Sequence, residues 1–407
     1  MSGQEFVIVG GGLAAATAAE TLRNEGFDGA IRLIGAESHH PYIRPPLSKE
    51  YLKGDAGRDS VFVQEDGWYD ENRIDLMLGR RADGLDAGAH IVELDNGERV
   101  HYDRLLLATG ASSRRLSIEG AEASGIHYLR TIEDSQALRE QIEHGGKRIV
   151  VVGSGWIGLE VTAAARGYGN DVTVIGREKV PLSAALGEEL GAMFGELHRQ
   201  HGVTLKLPAG IRSFTTADGR VTGVVTDSET LLADLVVVGV GAVPHVELAQ
   251  GASLAVDNGI LTDERMRTGA PDVYAAGDVA NAFHPVVERH LRNEHWANAI
   301  NGGTAAGKSM LGHGAVFDDI PYFYTDQYDL GMEYSGYPTL TSDAEVVYRG
   351  DLESREFVAF WQLDGRVVAG MNVNVWDVNE DVQALIRSER RVDPDRLRDG
   401  SIPIGEV

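Results

Sequence analysis

The hydrophobic positions of the chain follow a strand–glycine–helix–strand order near its start. An apolar run at residues 6–9 ends at three glycines, and an alanine-rich segment at 13–24 leads to a second apolar run at 30–34. Short apolar runs bounded by glycine are typical of buried strands, and a helix between two of them makes a βαβ unit. We therefore predict a Rossmann-like domain here.

The same order returns further along the chain, and the interval from Gly10 to Gly153 is 153 − 10 = 143 residues. The repeat consists of a predicted strand, a glycine turn, a helix and a second strand, at 148–152, 153–155, 157–167 and 171–175. An internal duplication of this kind predicts two dinucleotide-binding domains in one chain.

Later apolar segments extend both domains. Residues 102–111 and 233–244 each read as a buried strand that ends in a glycine turn, residues 271–280 as a strand that ends at Gly277, and residues 294–311 as a helix rich in alanine and glycine. The strand at 102–111 lies between the two βαβ units, and the similar strand at 233–244 closes the second unit.

The residue pattern changes from about Pro321 onwards, where aromatic and β-branched residues alternate with polar ones. The Asp364-Gly365 pair between two such runs favours an antiparallel hairpin, and residues 377–398 form a charged, helix-like tail. The predicted fold class is α/β, with two Rossmann-like domains and a C-terminal α+β domain. The predicted boundaries are 1–111 with 245–318, then 112–244, then 319–407.

Composition and charge reduce the number of functions that the chain could have. The 407 residues are 43% hydrophobic and 24% charged, which is typical of a globular protein of several domains. The net charge of −25 argues against a nucleic-acid partner, because phosphate binding needs dense lysine and arginine. The first strand begins by Phe6 and no apolar run approaches the roughly 20 residues of a membrane span. We expect a cytoplasmic protein without a membrane partner, either monomer or dimer.

The chain has no cysteine. This excludes a disulfide framework, a thiolate metal site and a thiol redox centre. The thirteen histidines show no H-E-x-x-H or comparable spacing, so we expect no metal site. Electrons that enter such a chain must leave it without a sulfur intermediate.

The glycines and the residues after the second strands carry the candidate binding chemistry. Glycine lets the backbone approach a pyrophosphate, and the helix that follows supplies N–H donors to it. A carboxylate after the second strand, Glu37 in the first copy, accepts bonds from ribose hydroxyls. In the second copy Arg177 offers positive charge to a 2′-phosphate, while Glu178 is the alternative ribose ligand. These residues slightly favour NADPH over NADH as the nicotinamide that binds, and they are consistent with either.

Seven segments together resemble the FAD-dependent ferredoxin and rubredoxin reductases, which serve bacterial oxygenases and are related to apoptosis-inducing factor. They are GGGLAAA, RPPLSK (44–49), LLLATG, GSGWIGLE, VYAAGDVA, EHWANA (294–299) and YFYTDQY (322–328). The resemblance covers essentially the whole chain. It implies an FAD-binding domain at 1–111 and 245–318, an NAD(P)H-binding domain at 112–244, and a C-terminal reductase domain.

The resemblance also implies roles for individual residues. Asp278 is expected to bind the ribityl chain of FAD, and Arg44 and Lys49 to approach the pyrophosphate and the isoalloxazine. Lys49 and Glu160 are the implied catalytic pair. Tyr322 and Tyr324 stand where relatives often have tryptophans. The remaining implied cofactor contacts are Gly10, Gly12, Leu13, Ala14, Ala36, Glu37, Ala82, Ala108, Thr109, Gly110, Arg130, Gly153, Gly155, Ile157, Gly158, Arg177, Gly241, Gly277, Glu294, His295, Trp296 and Tyr324.

Three functions are consistent with these observations. The first is a reductase that takes hydride from NAD(P)H and passes single electrons to a ferredoxin-like iron–sulfur protein feeding an oxygenase. The second is an NAD(P)H oxidase or quinone reductase, and the third is a flavoprotein that senses the nicotinamide. A ferredoxin is usually acidic, so docking requires a local basic patch, for which Arg289, His290 and Arg292 are candidates. We favour the first interpretation.

Overall fold

The computed structural model describes residues 3–407, which form two compact units. The first unit contains the chain up to Ile43, Arg58–Ser112 and Val243–Tyr322, and the second contains Arg44–Gly57, Ser113–Ala242 and Phe323–Val407. Each unit has a five-stranded parallel sheet.

The α-helices are numbered in chain order. They are α1 Leu13–Asn24, α2 Glu50–Lys53, α3 Trp68–Glu71, α4 Ile132–Ile142, α5 Trp156–Gly167, α6 Ser183–Leu186, α7 Glu188–Gln200, α8 Glu247–Gly251, α9 Trp296–Met310, α10 Asn379–Ser388 and α11 Pro394–Arg398. Short 3₁₀ turns lie at Pro45–Ser48, Arg58–Val61, Gly277–Val279, Pro338–Leu340 and Ile404–Glu406.

The strands are numbered in the same way. They are β1 Glu5–Val9, β2 Ala30–Gly35, β3 Ile74–Leu78, β4 Ala82–Asp86, β5 Ile91–Leu94, β6 Arg99–His101, β7 Arg104–Leu107, β8 Ala111–Ser113, β9 Ile126–His127, β10 Arg148–Val152, β11 Asp171–Ile175, β12 Thr204–Lys206, β13 Ile211–Ala217, β14 Arg220–Thr226, β15 Thr230–Leu232, β16 Leu235–Val238, β17 Ala242–Pro244, β18 Ile260–Thr262, β19 Val273–Ala275, β20 Ala280–His284, β21 Arg289–Leu291, β22 Tyr322–Gln327, β23 Leu330–Gly336, β24 Glu345–Asp351, β25 Glu356–Leu363 and β26 Arg366–Val373.

The parallel sheet of the first unit has the strand order β19-β7-β1-β2-β3. Its central strand β1 is apolar because it is covered on both faces, and Val7 and Ile8 are fully buried. Helix α1 packs against α9 through small residues. A Cβ at Gly303 would lie 2.6 Å from the carbonyl oxygen of Ala14, so only glycine permits this approach of the two helices.

The second unit has the parallel order β12-β11-β10-β16-β9 and, separately, an antiparallel sheet of order β22-β23-β26-β25-β24. The turn between β25 and β26 is the predicted Asp-Gly hairpin. Asp364 and Gly365 have φ values of 50° and 80°, which suit a two-residue turn, and Leu363 pairs with Arg366. The prediction of antiparallel hairpins is confirmed.

The predicted α/β fold class is confirmed, with one systematic difference in the buried strands. The segment at 102–111 is two strands, β7 and β8, and the segment at 233–244 is likewise split into β16 and β17. The break follows from the glycines, because Gly110 and Gly241 have φ values of 70° and 102°, outside the extended region. The tail is also divided, into α10 and α11.

Candidate dinucleotide sites and a buried lysine–glutamate pair

The first glycine turn lies between β1 and α1. Gly10 has φ 144°, and a Cβ there would lie 2.0 Å from the carbonyl oxygen of Ala108. Gly12 is the N-cap of α1 and has no neighbour within 4 Å of its Cβ position. Gly10 is therefore required by the protein's own packing, whereas Gly12 leaves open space at the N-terminus of the helix, where N–H groups point outwards.

Glu37 follows β2, at the same edge of the sheet as the glycine turn. Its Oε2 accepts a hydrogen bond of 2.5 Å from the hydroxyl of the buried Tyr42. The second oxygen of a carboxylate can accept further bonds. Tyr42 thus fixes the carboxylate in the position where a ribose ligand is expected, and this contact was not foreseen from the sequence.

Other predicted residues of the first unit also lie at the carboxyl ends of its parallel strands. Ala108, Thr109 and Gly110 follow β7, and Thr109 Oγ1 donates to the carbonyl of His245 at 2.8 Å. Gly277 follows β19 with φ 75°, and a Cβ there would lie 2.9 Å from the Cβ of Ala14. Parallel strands gather ligand-binding residues at this edge.

Asp278 lies inside the Gly277–Val279 turn, and its backbone oxygen accepts a bond of 3.1 Å from Arg292. Arg292 is also paired with Glu294 at 2.7 Å, and its side chain is only 10% exposed. It is therefore neutralised and largely buried, which weakens its case as a docking cation. Arg289 and His290 are exposed.

His295 is the N-cap of α9 and Trp296 is its first residue. Desolvation lowers the pKa of the half-buried His295 to about 4, against a smaller opposing effect of Asp278. Trp296 is 38% exposed, so part of its ring is open to a ligand or a partner.

The remaining predicted residues of the first unit lie elsewhere. Ala82 is in the separate antiparallel β4-β5-β6 sheet. Ala36 precedes Glu37 in the sequence, and Leu13 follows Gly12.

The second glycine turn repeats the first in the second unit. Gly153 has φ 116°, and a Cβ there would lie 2.0 Å from the carbonyl oxygen of Gly239. Gly155 is the N-cap of α5 and, like Gly12, has open space at its Cβ position. At Gly158 a Cβ would lie 2.2 Å from the oxygen of Gly153, which is the close helix–strand contact expected of a third glycine. Ile157, in the first turn of α5, is 48% exposed.

The two charged residues that follow β11 differ in how accessible they are to a ligand. Arg177 is exposed, whereas Glu178 is half-buried. Glu178 Oε2 accepts bonds from the backbone N–H and the hydroxyl of Ser183, at 3.0 and 3.1 Å. This carboxylate is therefore already partly used in holding the start of α6.

Lys49 and Glu160 form a buried ion pair in the second unit. Lys49 Nζ lies 3.0 Å from Glu160 Oε1, with side-chain exposures of 6% and 3%. Glu160 also accepts bonds from Ser48 Oγ at 2.5 Å and Thr325 Oγ1 at 2.6 Å. A buried charge pair needs such bonds to offset its loss of hydration. The structure thus brings together two residues that are 111 positions apart in the sequence.

One aromatic side chain lies near this pair, and two other predicted residues of the second unit contact each other. Lys49 Nζ lies 5.3 Å from the centre of the Tyr324 ring, and burial raises the pKa of Tyr324 to about 12. Arg44 donates a hydrogen bond of 2.5 Å to the carbonyl oxygen of Arg130, so these two predicted residues lie next to each other.

Sequence reasoning placed Gln327 in the family motif, with its backbone towards the flavin, but it did not find the side chains of Ser48, Thr325, Gln327 and His198 as part of this arrangement. Ser48 adjoins Lys49, and Thr325 and Gln327 alternate along β22, so their side chains share one face of the strand. That alternation was a usable signal. His198, on α7, had none, because its position depends on tertiary packing.

The two glycine turns fit a dinucleotide on geometric grounds. In each, one glycine is forced by a backbone contact and the next leaves space at a helix N-terminus, which is the arrangement a pyrophosphate needs. Among residues 3–407, no cluster of three or more histidine and carboxylate side chains is arranged to hold a metal ion. Over the same residues, no helix has the length and apolar character of a membrane span.

Comparison with known proteins agrees with this geometry. The family model for pyridine nucleotide-disulphide oxidoreductases matches residues 4–303, and the reductase C-terminal model matches residues 322–407. The chain is 41% identical over 405 residues to the anthranilate 1,2-dioxygenase system ferredoxin–NAD(+) reductase component of Burkholderia cepacia, covering 99% of this chain and 98% of the relative. It is 37% identical to the rhodocoxin reductase of Rhodococcus erythropolis, covering 97% and 92%.

A solved structure is also similar over the whole of this chain. The crystal structure of the covalent putidaredoxin reductase–putidaredoxin complex contains a chain that matches with a TM-score of 0.95 and 33% identity, over 100% of this chain and 98% of that one. The family uses FAD and a nicotinamide dinucleotide, for which the two glycine turns are suited. The chain therefore belongs to the pyridine nucleotide-disulphide oxidoreductase family and, within it, to the FAD-dependent ferredoxin and rubredoxin reductases.

Proposed function

We propose that this chain takes hydride from NAD(P)H and passes electrons singly, through FAD, to a ferredoxin-like iron–sulfur protein that feeds an oxygenase. The observation that carries the proposal is the pair of glycine turns, each with an open helix N-terminus, in a chain without cysteine. When bound, FAD accepts a hydride and returns its electrons one at a time. The relatives named as ferredoxin–NAD(+) reductase and rhodocoxin reductase support the same acceptor class.

The residues of the first unit hold the flavin nucleotide in this proposal. The open space at Gly12 and the N–H groups that begin α1 receive the pyrophosphate. Glu37, fixed by Tyr42, accepts the ribose hydroxyls, and Asp278 accepts those of the ribityl chain. Trp296 offers an exposed ring face at the start of α9.

Lys49 and Glu160 are the proposed catalytic pair. A lysine ammonium beside the isoalloxazine stabilises the negative charge that a hydride brings. Glu160 keeps Lys49 in place and compensates its charge in a buried setting. Water is kept from this pair by the packing around it, since both side chains are less than one-tenth exposed.

For the nicotinamide we propose binding at the Gly153–Gly158 turn, with NADPH slightly preferred over NADH. Arg177 is exposed and available to a 2′-phosphate, while Glu178 is partly engaged by Ser183. Replacement of Arg177 by alanine is then expected to raise the KM for NADPH far more than that for NADH. Arg199→Ala is a matched control, because Arg199 is an exposed arginine of the same unit, paired with Glu196. An unchanged ratio of the two KM values would remove the preference.

The domain boundaries 1–111 with 245–318, 112–244 and 319–407, and the cytoplasmic location, are part of the same proposal. The boundaries are supported by the separate parallel and antiparallel sheets. Limited proteolysis tests them, because cleavage sites are expected near residues 112, 245 and 319.

A steady-state assay with a panel of acceptors tests the function. NADH and NADPH are each offered with several ferredoxins, a quinone and dioxygen. Fast reduction of a ferredoxin supports the proposal. Fast flavin reoxidation by quinone or dioxygen without response to any ferredoxin identifies an oxidase or quinone reductase instead. Negligible turnover with every acceptor, together with a nicotinamide-dependent change in assembly, identifies a sensor.

The flavin assignment has its own test. The Asp278→Ala protein is expected to lose much of its FAD on purification, and full retention of flavin absorbance would contradict the role given to Asp278.

A further inference from the structure

A continuous series of hydrogen bonds leads from Glu160 to α7 within the second unit. Thr325 Oγ1 lies 2.6 Å from Glu160 Oε1, and Gln327 Nε2 lies 3.2 Å from Thr325 Oγ1. Gln327 Oε1 lies 2.8 Å from His198 Nε2, and His198 Nδ1 lies 3.2 Å from the hydroxyl of Tyr328. Thr325, Gln327 and His198 are at most 1% exposed. We call these four residues, Thr325, Gln327, His198 and Tyr328, the relay.

The direction of every bond in the relay is fixed by the charge of Glu160. A carboxylate paired with Lys49 can only accept, so the single hydroxyl proton of Thr325 must point to Glu160. Thr325 must then accept from the amide N–H₂ of Gln327, whose oxygen is left to accept from His198 Nε2–H. This leaves Nδ1 of His198 without a proton, as the acceptor for Tyr328.

The electrostatics of His198 agree with this assignment. Burial lowers the pKa of His198 to about 4, with a smaller opposing effect of its bond to Gln327. The ring is therefore neutral at pH 7 and has one N–H to donate. Each member of the relay has a partner for the polar atoms that the relay uses, so no alternative orientation satisfies all of them together.

We propose that Gln327 and His198 are positioning residues, which hold the carboxylate of Glu160, and through it the ammonium of Lys49, in the orientation that hydride transfer requires. The proposal rests on the role given to Lys49 and Glu160 in the proposed function. Glu160 has two oxygens and three donors around it, and the donor from Thr325 is the one that the relay controls. Without Gln327, the Thr325 hydroxyl is free to rotate away from Glu160.

The test compares variants that remove a hydrogen bond of the relay with variants that keep its hydrogen bonds. Gln327→Met and His198→Leu remove the polar groups and keep similar volume. His198→Gln keeps an N–H₂ donor near the Nε2 position and serves as the conservative rescue. His201→Leu is the matched control, because His201 stacks on Tyr328 at 3.7 Å but donates no bond within the relay.

The readouts are the rate of flavin reduction by NAD(P)H, the KM for NAD(P)H and the midpoint potential of the bound flavin. Gln327→Met and His198→Leu are expected to slow the reduction of the bound flavin about tenfold, as for a displaced catalytic group. The KM for NAD(P)H is expected to stay unchanged, and the midpoint potential of the flavin to become lower. His198→Gln is expected to recover most of the rate, and His201→Leu to match the parent protein. Equal losses in His198→Leu and His198→Gln would show a packing role and overturn the proposal.

Glu160→Gln separates failure of this inference from failure of the proposed function. If Glu160→Gln slows flavin reduction while Gln327→Met and His198→Leu do not, the relay has no positioning role and the proposed function stands. If Glu160→Gln itself leaves both rate and potential unchanged, the role of the pair is wrong, and the inference is overturned with it.

A measurement on the parent protein covers the case in which Gln327→Met or His198→Leu fails to fold. In protein labelled with ¹⁵N-histidine, the His198 ring, assigned by its loss in His198→Gln, is expected to be neutral and protonated on Nε2 at pH 7. A ring protonated on Nδ1, or a cationic ring, would contradict the hydrogen-bond directions assigned to the relay and overturn the proposal.

Discussion

Lys49 Nζ lies 3.0 Å from Glu160 Oε1, and the two side chains, 6% and 3% exposed, form a buried ion pair in the second unit. The core tolerates such a pair only while both members are present. Removal of one partner leaves the other as an uncompensated charge in a medium that solvates it poorly. Stability and the catalytic role proposed for Lys49 and Glu160 therefore depend on the same contact.

Replacement of Glu160 by glutamine is expected to lower the free energy of unfolding by about 3–5 kcal/mol, because Lys49 then stays buried without a counter-charge. Urea unfolding of the purified FAD-loaded protein measures this. Glu188→Gln is the matched control, since Glu188 pairs with Lys179 at 3.1 Å with both side chains largely exposed, and a loss of at most about 1 kcal/mol is expected there. Equal losses in the two variants would contradict the assignment of a buried pair.

Alanine at the glycine turns is expected to separate packing from ligand binding. At Gly10 the new Cβ would lie 2.0 Å from Ala108 O at φ 144°, so Gly10→Ala should destabilise the first unit. Gly12 and Gly155 have open space, so their alanine variants should fold normally and yet bind FAD and NAD(P)H, respectively, more weakly. Thermal unfolding and cofactor titration measure the two effects. Normal cofactor affinity in Gly12→Ala would show that no ligand approaches there.

The stability of the protein is expected to fall as the pH drops from about 6.5 towards 4. The pKa values of His198 and His295 are lowered to about 4 by burial, so each ring binds a proton in the unfolded chain before it does so in the folded one. Their contribution is complete above pH 6.5 and is lost through this window. His198→Gln should reduce the slope of unfolding free energy against pH, by at most one proton. Tyr328 and His201 face His198, and Asp278 faces His295. An unchanged slope would contradict the lowered pKa of His198.

Arg289→Glu is expected to slow ferredoxin reduction at low ionic strength while leaving flavin reduction by NAD(P)H unchanged. Arg289 is exposed, and reversal of its charge would weaken attraction to an acidic partner. Arg292 is unsuitable for this test, because it is paired with Glu294 and donates to Asp278 O. Arg99→Glu, at an exposed arginine of the same unit, is the control. Equal effects of both variants would indicate a net-charge effect and not a docking site.

Hydrophobic periodicity predicted the regular parts of the fold closely. The predicted helix at 13–24 is α1, and the predicted strands at 148–152 and 171–175 are β10 and β11. These elements depend on local pattern, since a buried strand must be apolar and a tight turn needs glycine. The ends of the later strands were less accurate, because Gly110 and Gly241, with positive φ values, interrupt runs that are mainly apolar.

The site was predictable where a motif carries it and unpredictable where tertiary packing does. Lys49 and Glu160 were paired through a family resemblance, and the structure places them in contact. Tyr42, which holds Glu37, and His198, which completes the relay, are ordinary residues in sequence. Their positions follow from long-range packing that no local pattern encodes.

The contact between α1 and α9 has a consequence for synthesis of the chain. Gly303 and Gly307 of α9 lie against Ala14 and Ala18 of α1, and β19 pairs with β7 at the edge of the same sheet. A nascent chain emerges from its N-terminus, so α1 is made nearly three hundred residues before α9, the helix that it packs against. The parallel sheet of the second unit needs only residues 126–238, and can assemble on the ribosome while the first is still incomplete.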